Sequence, residues 1–347
     1  MMEIRDALNR ILAGGDLTRG EMEEIFGRLM DGGLSDPLKA ALLVGLRAKG
    51  ESAEEIAGAA SAMRARVAPI EGQSMGGARE DAVDTCGTGG DGRHTFNIST
   101  AAALVAAAGG VVVAKHGNRS VSSRSGSADV LASLGVDVEM GPAGAGRALD
   151  EVGVCFLFAP LFHPAMKEVM PVRRELGVRT LFNVLGPLTN PAGARRQLMG
   201  VYEARLVPVL AEVLAQLGSR HALVVHGSDG LDEITTTGPT TVGEARLGDD
   251  GEARVEVYEI TPEEVGLPRA SLDDLRGGEP EENAAAMRRV LAGSGGPLAD
   301  VTAFNAGAAL YVGGVVESIA EGVERASALL ADGTAAAKLE ELKGFRA

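Results

Sequence analysis

At 347 residues the chain has room for one large domain or two of unequal size. Hydrophobic residues make up 45% but aromatics only 3%, with no Trp, so the core must be aliphatic. A formal charge of −15 argues against a protein whose main task is gripping nucleic acid or an anionic membrane. The two cysteines, Cys86 and Cys155, lack CxxC spacing and sit among apolar neighbours, so they are expected to be reduced, buried and inert. The first residues, MMEIRDALNR, are charged at once and lack the apolar region of a signal peptide. The apolar run 101–114 is broken by Gly109 and Gly110 and is too short to cross a bilayer. A soluble cytoplasmic protein is expected.

Residues 3–67 read as consecutive helices. Thr18-x-x-Glu21 and Ser52-x-x-Glu55 match the capping box, in which a hydroxyl and a carboxylate three residues on satisfy each other's backbone N–H groups. Pro37 suits a first helical turn after Ser35, Leu38, Leu42, Leu43 and Leu46 recur at helical spacing, and Gly50 is a stop. Residues 68–81, with Pro69 and three glycines, read as a linker. From residue 82 short β-branched runs alternate with Ala/Leu-rich helices. Candidate strands are 82–85, 111–114, 136–139, 154–157, 222–226 and 254–260. Such alternation implies an α/β fold whose central sheet is mostly parallel and wrapped by helices.

Two polar loops interrupt this pattern, each before a predicted helix. The first reads DTCGTGGDGRHTFNIST at 84–100, and its glycines at 87, 89, 90 and 92 let backbone N–H groups turn inward and approach a ligand closely. Asn97, Ser99 and Thr100 then stand where a helix begins, and a helix N-terminus favours anions. The second, KHGNRSVSSRSGSAD at 115–129, carries Lys115, His116, Arg119 and Arg124. Residues 87–135 have a net charge of +2 against −17 for the rest. Two cradles side by side suggest a ligand with two separated phosphate groups.

Three other groups are candidates. HGSDGLDEIT at 226–235 sets Asp232 beside Glu233 after a strand, and such a pair suits Mg²⁺, which prefers oxygen ligands. An Asp-Glu pair in a loop is also common as solvated surface, and the neighbouring phosphate loops favour the metal. Arg173, Arg174 and Arg179 in the segment 163–191 either decorate a solvated helix face or hold a carboxylate or phosphate by paired hydrogen bonds. His163, before Pro164, is a helix-entry residue or a substrate contact, and His226 reads as structural.

GTGGD at 87–91, NIST at 97–100, KHGNRSVSSRSGSAD, RRELGVRTLFNVLGPLTNP at 173–191 and HGSDGLDEIT together resemble the anthranilate phosphoribosyltransferase family, in its order and over nearly the whole chain. The resemblance implies a small N-terminal helical domain, 1–70 with a contribution from about 163–185, and a large α/β domain, 71–347. It implies a homodimer formed through the helical domain, and transfer of the phosphoribosyl group of phosphoribosyl pyrophosphate to the amine of anthranilate in tryptophan biosynthesis. The donor would lie against Gly87, Gly90, Asp91, Thr95, Asn97, Ile98, Ser99 and Thr100. Lys115, His116, Gly117, Asn118, Arg119, Ser120, Val121, Ser122, Ser123 and Ser127 would complete its site. Gly87, Asn118 and Arg173 would meet anthranilate, and Ser99, Asp232 and Glu233 would bind Mg²⁺. No general base stands out, His116 being a weak candidate.

Rival readings are a pyrimidine nucleoside phosphorylase, which shares a KH loop but continues it differently, and a non-catalytic nucleotide-sensing module. Loss of Arg173 or of Asp232 and Glu233 would point to the latter, and all three are present. DEITTTGPT at 232–240 resembles the donor motif of another phosphoribosyltransferase class. There the acids follow the strand directly, whereas here residues 227–231 intervene.

Overall fold

The computed structural model describes residues 2–71, 81–120 and 124–347. Most of the expected linker at 68–81 and the loop residues Val121, Ser122 and Ser123 therefore lie outside the described residues. The chain opens with α1 (Ile4–Leu12), α2 (Arg19–Met30), α3 (Asp36–Lys49) and α4 (Ala53–Arg64). Both capping boxes form: the Thr18 and Ser52 side chains accept from the backbone of Glu21 and Glu55, and each Glu reaches back. Gly50 ends α3 at φ 90°, a conformation that a side chain would strain.

After the helices come β1 (Val83–Asp84), α5 (Ile98–Ala108), β2 (Val113–Gly117), α6 (Ser127–Leu134), α7 (Pro142–Glu151) and β3 (Val154–Phe158). The chain then makes α8 (Ala159–Phe162), α9 (Met170–Leu176) and α10 (Phe182–Leu185), and returns to β4 (Arg196–Gly200), α11 (Leu206–Gln216) and β5 (His221–Gly227). A hairpin of β6 (Thr240–Leu247) and β7 (Ala253–Ile260) follows, then α12 (Pro280–Leu291), α13 (Pro297–Gly313), α14 (Ile319–Ala331) and α15 (Thr334–Gly344).

The seven strands form one sheet in the order β3-β2-β1-β4-β5-β6-β7. β3, β2, β1, β4 and β5 are parallel, and β6 and β7 add an antiparallel edge. The mostly parallel sheet expected from the alternation is present. One face packs on α5 and α12–α15. On the other, residues of β4 and β5 join α11, α9, α10 and the four leading helices in one continuous core.

The expected strand at 136–139 does not form. Val136 and Val138 are buried, which is why the run alternates, but its backbone has no neighbouring strand. The Val136 N–H closes the end of α6 on Leu131 O, and the Glu139 N–H bonds the Asp137 side chain. Two strands had no reading from the sequence. β4 begins on polar Arg196 and Gln197, and β6 carries Gly243 and Glu244 mid-run, so neither stands out as an apolar stretch.

Parallel strands share one C-terminal edge, and the order reverses between β1 and β4. The loops after β1, β2, β4 and β5 all open there, in the crevice where open α/β sheets place their ligands.

Candidate active site

The first loop leaves β1 and lies across the reversal point. Thr88 donates its N–H to Gly200 O at 2.8 Å, and its hydroxyl accepts from Tyr202 N at 3.1 Å. Gly90 sits at φ 78°, and a Cβ on Gly87 would stand 3.0 Å from Gly200 O and 3.2 Å from Asp232 Oδ2. Close approach of the loop to β4 and to the acids therefore requires glycine there. Farther along, Phe96 N bonds Leu275 O, and Thr95 bridges to Arg276. Asn97 precedes α5, as expected, and joins the two loops: its Nδ2 donates to Ser125 O at 3.1 Å and its Oδ1 accepts from Ser125 Oγ at 3.3 Å.

The second loop leaves β2. Lys115 is buried and donates to Thr85 O at 3.2 Å, Thr85 Oγ1 at 3.1 Å and Ser99 Oγ at 3.4 Å. Asn118 O accepts from Ala128 N and Ser127 Oγ. Asp129 takes the N–H groups of Ser120 and Gly126 at 3.0 Å each. Arg119, counted among the anion donors, pairs with Asp129 at 3.2 Å and Glu139 at 3.5 Å and lies over the Phe158 ring.

The acids meet the first loop at two points. Asp232 Oδ2 accepts from Gly89 N at 2.7 Å, and Glu233 Oε1 accepts from Ser99 N at 3.1 Å, at the start of α5. Burial, then Asp91 and Glu233, push the Asp232 carboxyl well above its ordinary range. Burial raises Glu233 to about 7, against the pull of Lys115 and of hydrogen bonds from Ser99. Crowded carboxylates with few donors are poorly stabilised as anions, and a divalent cation relieves the crowding. Oxygen ligands alone, with a serine hydroxyl adjacent, fit Mg²⁺.

The segment after β3 closes the site from the side of the leading helices. His163 Nε2 meets His116 Nε2 at 3.1 Å, with both rings buried. Burial, then the proximity of His163, pushes His116 down to about 3, and burial lowers His163 to about 4, so both are neutral at pH 7. His163 stands at a helix entry, before the turn 164–168, and it packs on the second loop's histidine. Arg173, on α9, lies over the Phe182 ring at 5.3 Å, and burial lowers its pKa. Among the described residues no carboxylate pairs with its guanidinium. Arg174 is exposed, whereas Arg179 stacks on Tyr202 at 4.1 Å and donates to Gly90 O, so it is no mere surface decoration. His226 Nδ1 bonds Val201 O at 2.7 Å, the structural role expected.

Cys86 and Cys155 form no disulfide among the described residues, with Cys155 buried and Cys86 only partly so. A surface depression of about 450 Å³ lined by Asp16, Thr18, Glu54 and Glu212 lies on the helical side, away from these loops.

Models of the glycosyl transferase family match the chain twice, its helical bundle domain over residues 5–67 and its a/b domain over 79–336. Anthranilate phosphoribosyltransferase of Laribacter hongkongensis is 51% identical over 99% of this chain and 97% of its own length. That of an Anaeromyxobacter species is 53% identical over 98% and 97%. This chain belongs to the anthranilate phosphoribosyltransferase family. The Thermus thermophilus anthranilate phosphoribosyltransferase superposes with a TM-score of 0.89 at 49% identity, covering 98% of this chain and 99% of that one. The Saccharomyces cerevisiae anthranilate phosphoribosyltransferase, solved with phosphoribosyl pyrophosphate and Mg, gives 0.85 at 27%, covering 98% and 96%.

Measured against this family fold, the sequence reading missed four residues at the site. Asp84 and Asn190 are buried and bonded to each other, Thr85 holds Lys115, and Gly200 stands where a Cβ would overlap Asp232 O. An Asp in the otherwise apolar run AVDT was the one available signal, because a buried carboxylate needs a reason.

Proposed function

We propose that the chain transfers the phosphoribosyl group of phosphoribosyl pyrophosphate to the amine of anthranilate, releasing pyrophosphate, within tryptophan biosynthesis. The observation that carries this reading is the crowded pair Asp232 and Glu233 bonded to the first loop at Gly89 and Ser99, with Lys115 at the start of the second loop donating to the same Ser99. The donor binds across Gly87, Gly90, Asp91, Thr95 and residues 97–100 on one side, and residues 115–123 with Ser127 on the other. Asp232, Glu233 and Ser99 hold Mg²⁺, which supplies charge neutralisation to the departing pyrophosphate. Backbone N–H groups of the loops and the start of α5 stabilise the same developing charge, and Lys115 adds a buried cation.

Arg173 takes the anthranilate carboxylate: it is a half-buried cation without an acidic partner among the described residues, stacked on an aromatic ring. Gly87 and Asn118 complete that subsite. The aromatic amine is unprotonated at neutral pH, so no strong base is needed. With its pKa pushed to about 3 and its Nε2 engaged, His116 does not supply one. Holding both substrates in line contributes through orientation.

The same reading divides the chain into a helical domain, 1–70 with part of 163–185, and an α/β domain, 71–347. It places a homodimer in the cytoplasm, joined through the helical domain. No described helix is long and apolar enough to cross a membrane. The test is direct. Purified protein with anthranilate, phosphoribosyl pyrophosphate and Mg²⁺ should consume anthranilate fluorescence and release pyrophosphate in equal amounts. Phosphorolysis of a pyrimidine nucleoside without anthranilate consumption would overturn the reading.

A further inference from the structure

One buried carboxylate, outside every group given a role above, ties the two anion loops together. Asp84 ends β1, the middle of the five parallel strands, and is 1% exposed. Its Oδ1 accepts from the backbone N–H of Cys86 at 3.0 Å, where the first loop starts, and of His116 at 3.1 Å, where the second starts. Its Oδ2 accepts from Asn190 Nδ2 at 2.7 Å. That amide also donates to Ala114 O at 2.8 Å, and Asn190 Oδ1 accepts from Ala192 N at 2.8 Å. Thus the first loop, the second loop and the 187–191 turn all bond to one side chain or to its partner. β1 has only two residues and pairs with β2 at one register position, so the backbone ladder alone fixes the loops' separation weakly. A carboxylate offers acceptors only, which lets a single group take donors from three segments. Burial pushes its pKa up to about 6, a strain relieved by the Asn190 bond, by Lys115 nearby and by the two backbone N–H groups.

We infer that Asp84, with Asn190, is a positioning residue that sets the spacing between the two anion loops, so that a donor with phosphate groups at both ends engages both at once. The inference rests on the function proposed above. A ligand held at two points gains from the effective concentration of its second end, and that gain is lost when the two sites are misplaced. A ligand held at one point has no such gain to lose. A purely structural Asp84 would lower stability and weaken long and short ligands alike.

The test compares ligands of two lengths by calorimetry on the full chain with Mg²⁺ present: phosphoribosyl pyrophosphate, which spans both loops, and pyrophosphate or ribose 5-phosphate, each carrying only one end. Asp84→Asn sets an amide donor against the Asn190 amide. It should weaken the spanning ligand about tenfold or more while the single-ended ligands change less than about threefold. Adding Asn190→Asp restores a donor–acceptor pair and should recover part of the loss. Asn190→Ala leaves both backbone bonds to Asp84 in place and should produce a smaller shift of the same kind; if Asp84→Asn does not fold, this variant decides. Equal weakening of all three ligands, or an unchanged spanning ligand, overturns the inference while leaving the function intact. Wild-type protein that binds both short ligands but not phosphoribosyl pyrophosphate overturns the function, and this inference with it.

Discussion

Strand β5 has acids near both of its ends, and the fold treats them in opposite ways. Beside its start, Glu244 accepts from His221 Nε2 at 2.8 Å, Tyr258 Oη at 2.9 Å and Tyr311 Oη at 2.9 Å. Burial pushes that carboxyl up, but the hydrogen bonds outweigh it and its pKa is lowered. Just past the other end, Asp232 and Glu233 crowd each other and Asp91; burial and that crowding outweigh the bonds from Gly89 to Asp232 and from Ser99 to Glu233, and both are raised. A carboxylate with three good donors is part of the scaffold. Acids buried together without enough donors mark the place where the fold leaves charge to be neutralised by something else.

Removing the crowded pair should therefore have the largest effect on chemistry and the least on folding. Asp232→Asn with Glu233→Gln should lower turnover by at least about a hundredfold at saturating Mg²⁺. The melting temperature without metal should not fall. Unchanged turnover in the fluorescence assay would put the pair on the same footing as Glu244.

Arg173 extends the contrast to cations, since among the described residues its charge has no acid where Arg119 has two. Arg173→Ala should raise the apparent constant for anthranilate by about 10- to 100-fold, a charge-assisted contact of about 1.5–3 kcal/mol. Lys there should rescue in part, because it cannot form the paired bonds. A rise in the donor constant instead, with anthranilate unaffected, would assign Arg173 to the phosphate site.

The scaffold acid should behave in reverse. Glu244→Ala leaves His221, Tyr258 and Tyr311 without their acceptor and should cost about 1–3 kcal/mol in urea unfolding. Turnover per folded molecule should stay the same. Loss of turnover with stability intact would contradict the comparison.

The histidines give the smallest and sharpest test. His221 has a carboxylate, whereas His116 meets the neutral His163 and, despite a backbone hydrogen bond with Gly186, is held down by burial to about 3. As pH falls from about 6.5 towards 3, the unfolded imidazole binds a proton that the native one refuses, so stability drops by up to about 1.4 kcal/mol per pH unit. Asp84, raised to about 6, works the other way from about 6 down to its unfolded value near 3.9. Comparison with His116→Gln cancels that contribution. The wild type should lose stability faster than the variant on acidification, and parallel curves would show that His116 is already protonated in the folded state.

Much of this was legible in the chain. The capping boxes and the helix start after Asn97 are local patterns, set by residues within a few positions of one another, and they formed as read. The expected strand at 136–139 failed because alternation reports burial, whereas a strand also needs a neighbour to bond. β4 and β6 were missed for the converse reason: their partners made strands of polar-start and glycine-containing runs.

Sequence by itself determined the glycine turns, the helix starts and the local charge of the two loops, because these are properties of short stretches. Family resemblance in the ordered motifs added the substrate. Only the tertiary structure decided that Asp84 and Asn190, 106 positions apart, share a hydrogen bond, that Arg119 is already paired, and that Arg179 reaches Gly90. It alone raised Glu233 to about 7 while lowering Glu244. These outcomes depend on burial and on donors brought from distant strands, and neither is written in any short stretch of chain.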